Sequence, residues 1–138
     1  MAGYLNAPQA TAQALRRGWL HTGDMGYLDV DGFPFLTDRK KDLIIRGGEN
    51  ISPREVEEVL LAFPAVADAA VVEEVVAFLV LTTGKEIVVD ELQNFCRDRL
   101  ARFKVPRRIN VVSVLPLTSV GKVDKARLRS LATPDQTR

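Results

Sequence analysis

Four places in this 138-residue chain hold side chains whose type and spacing suit chemistry. Lys122 follows Gly121 in a loop that leaves an alternating stretch, Ile109 to Leu115, through Pro116, so a long cation is presented from a permissive backbone. On its local residues alone it reads as a solvated loop lysine. Asp24 and Arg39 offer a carboxylate that accepts from hydroxyls and a guanidinium that donates to oxygens. The same two residues could equally form an exposed cross-strand salt bridge worth at most about 1 kcal/mol. Gly47 and Gly48 make a turn ahead of a helix, and their missing side chains leave room for a narrow substrate arm beside the backbone. Lys41 ends the basic run Arg39-Lys40-Lys41, a solvated face by itself.

Other residues carry weaker signals. Arg97, Arg99, Arg102, Lys104, Arg107 and Arg108 cluster, but without the aromatic interleaving of a nucleic-acid surface, so a solvated face is favoured over a phosphate site. His21, the only histidine, has no Cys or acidic partner at metal spacing and reads as structural. No metal site is expected within the chain. Cys96 falls on an apolar helix face and reads as packing. Val120-Gly121-Lys122 is not a phosphate loop, because the first glycine and the following Ser or Thr are absent.

The elements that must position these residues follow from pattern. Gly26 to Thr37 predicts two strands around Asp31-Gly32, a strong short hairpin signal. A two-residue loop sets opposed residue numbers to sum to 63, pairing Val30 with Phe33 and Leu28 with Phe35. Carried further, that register sets Asp24 opposite Arg39, about 5 Å away. Ser52 as N-cap, Pro53 at the first helical position and Glu55 three residues on write a helix start. Val56, Val59, Leu60 and Phe63 form its apolar stripe, leaving Glu55, Glu57 and Glu58 mostly outward, and Pro64 ends it. Val66 to Val72 and Val75 to Leu81 predict buried strands. A second helix starts near Asp90 as N-cap, with Gln93 boxed, and places Leu92, Phe95, Cys96 and Leu100 on one face. Ile109 to Leu115 predicts a third strand, and Asp124 to Leu131 a short helix with Leu128 and Leu131 inward. A further short helix is expected over Pro8 to Arg16. The predicted class is α+β: a small sheet of about three core strands packed by two to three helices and preceded by a β-hairpin.

Composition sets bounds. The length suits one domain with a real core. A net charge of +1 gives no global drive toward nucleic acid or anionic lipid. One cysteine excludes an internal disulfide and fits a reducing cytoplasm. The longest apolar run, Val75 to Leu81, is far short of a membrane span, and Met1 to Pro8 lack the pattern of a signal peptide.

Three ordered motifs now carry a resemblance. Asp38-Arg-Lys-Lys-Asp-Leu-Ile followed by Gly47-Gly-Glu-Asn-Ile-Ser-Pro-Arg-Glu-Val-Glu resembles the hinge region of the AMP-forming acyl-CoA synthetase and adenylation-domain superfamily, luciferases included. Gly18-Trp-Leu-His-Thr-Gly-Asp24 upstream and Pro116-Leu-Thr-Ser-Val-Gly-Lys122 downstream match in the same order. The resemblance covers nearly the whole chain and only the last quarter or so of a full family member. It implies that residues 1–38 close the large N-terminal domain, 39–42 form a hinge and 43–138 form the mobile C-terminal domain. By the same resemblance Lys122 bonds acyl carboxylate and phosphate oxygens during adenylation, and Asp24 and Arg39 contact the nucleotide ribose. Lys41, at a position that is Asp in some relatives and Lys in others, is the hinge, and Gly47 and Gly48 line the channel for coenzyme A.

The implied reaction is ligation of a carboxylic acid, a fatty acid in the leading reading, to coenzyme A at the expense of ATP, with Mg2+ bound mainly by the large domain. The Gly47-Gly48-Glu-Asn-Ile-Ser-Pro run looks more like acyl- and aryl-CoA ligases than like peptide-synthetase domains. The terminal Gln136-Thr137-Arg138 is no peroxisomal address. Rivals are an aryl-CoA ligase of coumarate or benzoate type, a non-catalytic partner-docking module of the same fold, and a small nucleic-acid-binding domain. The 138 residues are expected to be inactive alone, since neither an acyl pocket nor the family's Ser/Thr/Gly-rich phosphate loop is among them.

One junction conflicts with turn chemistry. Glu73-Glu74 joins two strand-like runs although neither residue favours the positive φ of a tight turn. Relatives have a longer loop here with a Gly-x-Pro-Asp element, so residues are expected to be missing between Val72 and Glu73.

Overall fold

The computed structural model describes residues 1–132; the terminal Gln136-Thr137-Arg138 lies outside them. The chain divides into two compact units, Met1–Lys41 and Asp42–Arg138.

In the first unit, helix α1 (Pro8–Ala14) leads into two short strands, β1 (Leu15–Arg16) and β2 (Trp19–Leu20). They fold over Arg17 and Gly18, a miniature hairpin that hydrophobic patterning does not reveal. Strands β3 (Asp24–Leu28) and β4 (Pro34–Arg39) form the expected antiparallel hairpin. Its turn differs from the expected one. Gly32 N–H donates to Asp29 O at 3.1 Å, and the Asp29 carboxylate accepts from Asp31 and Phe33 N–H, so three residues, not two, make the loop. The register beside the turn is therefore shifted by one: Leu28 opposes Pro34 and Tyr27 opposes Phe35, where the sequence set Leu28 against Phe35 and Val30 against Phe33. A bulge between Met25 and Gly26 restores the lost residue, and Asp24 stands opposite Arg39 as expected. Two departures from regular pairing cancel at the pair that matters. Gly26 is obligatory there, since a Cβ would lie 2.2 Å from Phe35 O.

The second unit contains the α+β core. Strands β5 (Ile44–Arg46) and β6 (Glu49–Ile51) form a hairpin over Gly47 and Gly48, whose φ values of 61° and 85° are left-handed. Helix α2 (Pro53–Leu61) starts as written in the sequence: Ser52 Oγ accepts from Glu55 N–H at 3.2 Å, with Pro53 in the first turn. Strand β7 (Val66–Val72) pairs antiparallel with β8 (Val76–Leu81), and β8 pairs parallel with β9 (Arg108–Val111), giving sheet order β7-β8-β9. The parallel pair needs a crossover, supplied by α3 (Val89–Arg97). Helix α4 (Lys125–Ala132) closes the described chain.

Strand periodicity sorts the core into two faces. Ala69, Val71, Ala77 and Leu79 pack with Val56 and Leu60 of α2 and Leu92 and Cys96 of α3. Ala70, Val72, Val76 and Phe78 pack with Leu115 and with Leu128 and Ala132 of α4. The sheet is thus covered on both sides, which is why its strands read as continuous apolar runs. No helix among the described residues is long and apolar enough to cross a membrane.

Several expectations need correction. Helix α3 is capped from Val88 without a side-chain bond, and Asp90 sits inside the first turn; Gln93 spends its amide on Pro106 O instead. The third strand ends at Val111, not Leu115. Leu131 points outward, because the inward partner of Leu128 one turn on is Ala132. Glu57 does not face solvent: its carboxylate accepts from Val71 N–H and from Lys125 Nζ, both at 2.8 Å. At the conflicting junction β7 ends at Val72 and a 3₁₀ turn, Glu73–Val75, follows directly. The conflict appears as backbone strain. Glu74 and Val75 both take left-handed φ, 56° and 57°, a rare state for a β-branched residue.

Candidate functional site

The Asp24–Arg39 pair is built by strand register. Arg39 Nε lies 3.1 Å from Asp24 Oδ1, with the two side chains 55% and 26% exposed, so both keep open faces for a ligand. Thr22 Oγ1 accepts from Asp24 N–H at 3.1 Å, and Lys40 N–H donates to Gly23 O at 2.8 Å, fixing the approach to β3 from both sides. Beside them lies a concavity of about 450 Å³ lined by Gln13, Arg16, His21, Thr22, Asp24 and Lys40. The shape and polarity suit a hydroxylated, anionic group. Gln13, Arg16 and His21 were not expected in this lining; α1 and the β1–β2 hairpin bring them there, and no local pattern announces it.

Lys122 stands on a loop tighter than its glycine predicts. Leu117 and Val123 form an isolated bridge, Thr118 N–H donates to Lys122 O at 2.7 Å, and Lys122 N–H donates to Thr118 Oγ1 at 3.2 Å. Asp124 N–H closes the base onto Pro116 O at 2.7 Å. The backbone is stapled while the Lys122 side chain is exposed, an arrangement that aims a cation outward without ordering its tip.

The glycine turn borders a second concavity of about 1000 Å³. Arg46, Arg97, Arg102 and Arg107 line it with Gly47 and Gln93. Arg46 Nη1 donates to Phe103 O at 3.1 Å, tying the glycine hairpin to the segment after α3. A Cβ built on Gly47 or Gly48 would meet nothing within 4 Å, so these residues are glycine for their φ, while the space above them stays open. The basic cluster read from sequence divides by role. Arg99 stacks on Phe95, Lys104 pairs with Glu55 at 2.7 Å and Arg108 donates to Ala132 O, whereas Arg97, Arg102 and Arg107 face the concavity.

Lys41 lies in a one-turn 3₁₀ segment, Lys40–Asp42, and is exposed. Cys96 is fully buried, and burial pushes its thiol from 9.0 up to about 11, against a smaller opposing pull from Arg99 and Arg97. It is inert packing. Among the described residues no group of three or more His, Cys, Asp and Glu gathers as a metal site.

Comparison with known proteins follows the same lines. Residues 55–122 match the AMP-binding enzyme C-terminal domain. The chain is 48% identical to the long-chain-fatty-acid–CoA ligase of Bacillus subtilis (strain 168), over 93% of its own length and 24% of that protein's. It is 45% identical to the 2-succinylbenzoate–CoA ligase of Bacillus cereus (strain Q1), over 94% of its length and 28% of the relative. The solved o-succinylbenzoate CoA synthetase of Bacillus subtilis, in complex with the acyl-adenylate OSB-AMP, superposes with a TM-score of 0.84 at 42% identity, covering all of this chain and 28% of that one. The chain thus spans about a quarter of the relatives it matches. Its motifs, its α+β core and these likenesses agree that the chain belongs to the adenylate-forming acyl-CoA ligase superfamily, of which it carries the AMP-binding C-terminal domain.

Proposed function

We propose that the chain is the mobile C-terminal part of an ATP-dependent acyl-CoA ligase that converts a fatty acid, ATP and coenzyme A into acyl-CoA, AMP and pyrophosphate through an acyl-adenylate. The observation that carries this reading is the exposed Lys122 on a stapled loop. In adenylation an acyl carboxylate attacks the α-phosphorus of ATP while pyrophosphate leaves, so two anions must approach. An ammonium delivered between them offsets their repulsion and the charge that builds in the transition state. Asp24 would accept from the ribose hydroxyls and Arg39 would donate beside it, holding the nucleotide in line.

Thioester formation asks for a different face. The open backbone above Gly47 and Gly48 suits the thin pantetheine arm, and Arg46, Arg97, Arg102 and Arg107 suit the phosphates of coenzyme A. Two half-reactions on two faces call for rotation, and Lys41, the last residue of the first compact unit, is where we assign it. The end of the large domain would then be residues 1–38, the hinge 39–42 and the mobile domain 43–138. The large domain would hold ATP, Mg2+ and the acyl chain. A cytoplasmic setting agrees with the single buried thiol.

An aryl-CoA ligase is the second reading, supported by the 45% identity to a 2-succinylbenzoate–CoA ligase. The test places this chain in the Bacillus subtilis fatty-acid ligase in place of the matching quarter. Lys122→Ala is expected to lower acid-dependent ATP–pyrophosphate exchange by about 10²- to 10³-fold. Thioester formation from supplied acyl-adenylate should persist. Loss of neither step would leave a docking module of the same fold.

A further inference from the structure

Helix α4 is fastened to the second unit by charge at each of its turns. Lys125 Nζ meets Glu57 Oε1 at 2.8 Å, and Arg108 donates to the carbonyl of Ala132. Between them Arg129 reaches two carboxylates, Glu73 at 3.1 Å through Nε and Asp42 at 3.7 Å through Nη2. Asp42 is the residue directly after Lys41 and belongs to the short 3₁₀ turn. The other end of α4 runs into the Lys122 loop: Asp124 N–H donates to Pro116 O, and Asp124 Oδ1 caps the helix by accepting from Arg127 N–H at 3.0 Å. A continuous line of contacts therefore runs from Asp42 through Arg129 and α4 to the loop that presents Lys122.

We propose that Arg129 is a positioning residue for adenylation: its grip on Asp42 makes α4 and the Lys122 loop turn as one body with the chain leaving the hinge. This rests on the assignment of Lys122 and Lys41 made above. A rotation about one residue is transmitted only as stiffly as the first contacts beyond it. The Asp42 side chain is the first ionic one, and it is 27% exposed against 32% for Arg129, so water screens it only in part. Glu73, whose side chain is 71% exposed, is the more solvated of the two carboxylates that Arg129 reaches and lies outside the hinge.

Two measurements test it. In the 138-residue chain, trypsin should cut at Lys41 faster in Arg129→Met than in the parent, at melting temperatures that stay close; unchanged cutting overturns the grip. In the grafted ligase, Arg129→Met should reduce ATP–pyrophosphate exchange roughly tenfold and leave thioester formation from supplied acyl-adenylate within about twofold. Asp42→Asn should reproduce the loss, and the double variant should be no worse than either. Glu73→Gln should change neither half-reaction. Equal loss of both half-reactions, no loss, or additive losses from Asp42→Asn and Arg129→Met each overturn the proposal. Lys122→Ala runs alongside: if it keeps full exchange, the assignment of Lys122 fails, whereas a collapse there with a silent Arg129→Met sinks only the positioning role.

Discussion

The two compact units keep their shape by different means. In Asp42–Arg138 the sheet is covered on both faces, and Ile51, Val56, Leu60, Leu79, Leu92 and Leu128 are sealed from solvent. In Met1–Lys41 no residue is buried: Tyr27, Leu28, Phe33 and Leu36 are each 60% or more exposed. The hairpin is held by its ladder, by the Asp29 turn and by Tyr27 stacked on Phe35 at 5.4 Å. Isolated hairpins are marginal in water, and apolar patches of this kind mark surfaces that another body covers. The contrast teaches that the Asp24–Arg39 pair sits on a local scaffold without a core of its own, whereas Lys122 and the glycine turn stand on a domain that has one.

The largest expected effect divides the units outright. Leu60→Ala should cost about 2–5 kcal/mol in chemical denaturation of the 138-residue chain, because it empties a fully buried site. Phe35→Ala, made in a residue 47% exposed, should leave that transition within about 0.5 kcal/mol. A comparable loss from both would mean that the hairpin shares the core's cooperativity.

Next comes the buried thiol. The folded state holds Cys96 near 11 while the unfolded chain ionises near 9.0. Between those values the unfolded state releases a proton that the native state keeps, so stability falls as pH rises from about 9 and levels above about 11. At about 1.4 kcal/mol per unit the loss is about 2–3 kcal/mol. Denaturation curves of the parent and Cys96→Ala from pH 8 to pH 11 should diverge in slope; parallel curves would mean that the thiol is not desolvated.

The smallest effect has the opposite sign. Glu74→Gly should stabilise the second unit by about 1 kcal/mol, since glycine accepts the left-handed φ without a Cβ penalty. A rise of a few degrees in melting temperature checks it, and a fall would show that the strained turn is not where stability is lost.

Much of the α+β core was legible because its signals are local. Ser52, Pro53 and Glu55 write a helix start in three residues, and period-3.6 and β-branched runs mark α2, β7 and β8. The Asp24–Arg39 pairing was legible for a less secure reason, as the loop and the bulge each moved the register by one residue in opposite senses. Arg46, Gln93 and Arg129 were not legible, for their partners Phe103, Pro106 and Asp42 are far away in sequence.

By itself the sequence determined which short segments become helix, strand or turn and which charged residues stand at special spacings, because caps, periodicity and glycine φ preferences act over a few residues. Only the tertiary structure decided that Glu57 turns inward, that the arginine cluster splits between structural bonds and an open groove, and that Arg129 reaches Asp42. Those outcomes depend on the packing of elements across the sheet, where the energy of a side chain is set by neighbours that no local pattern names.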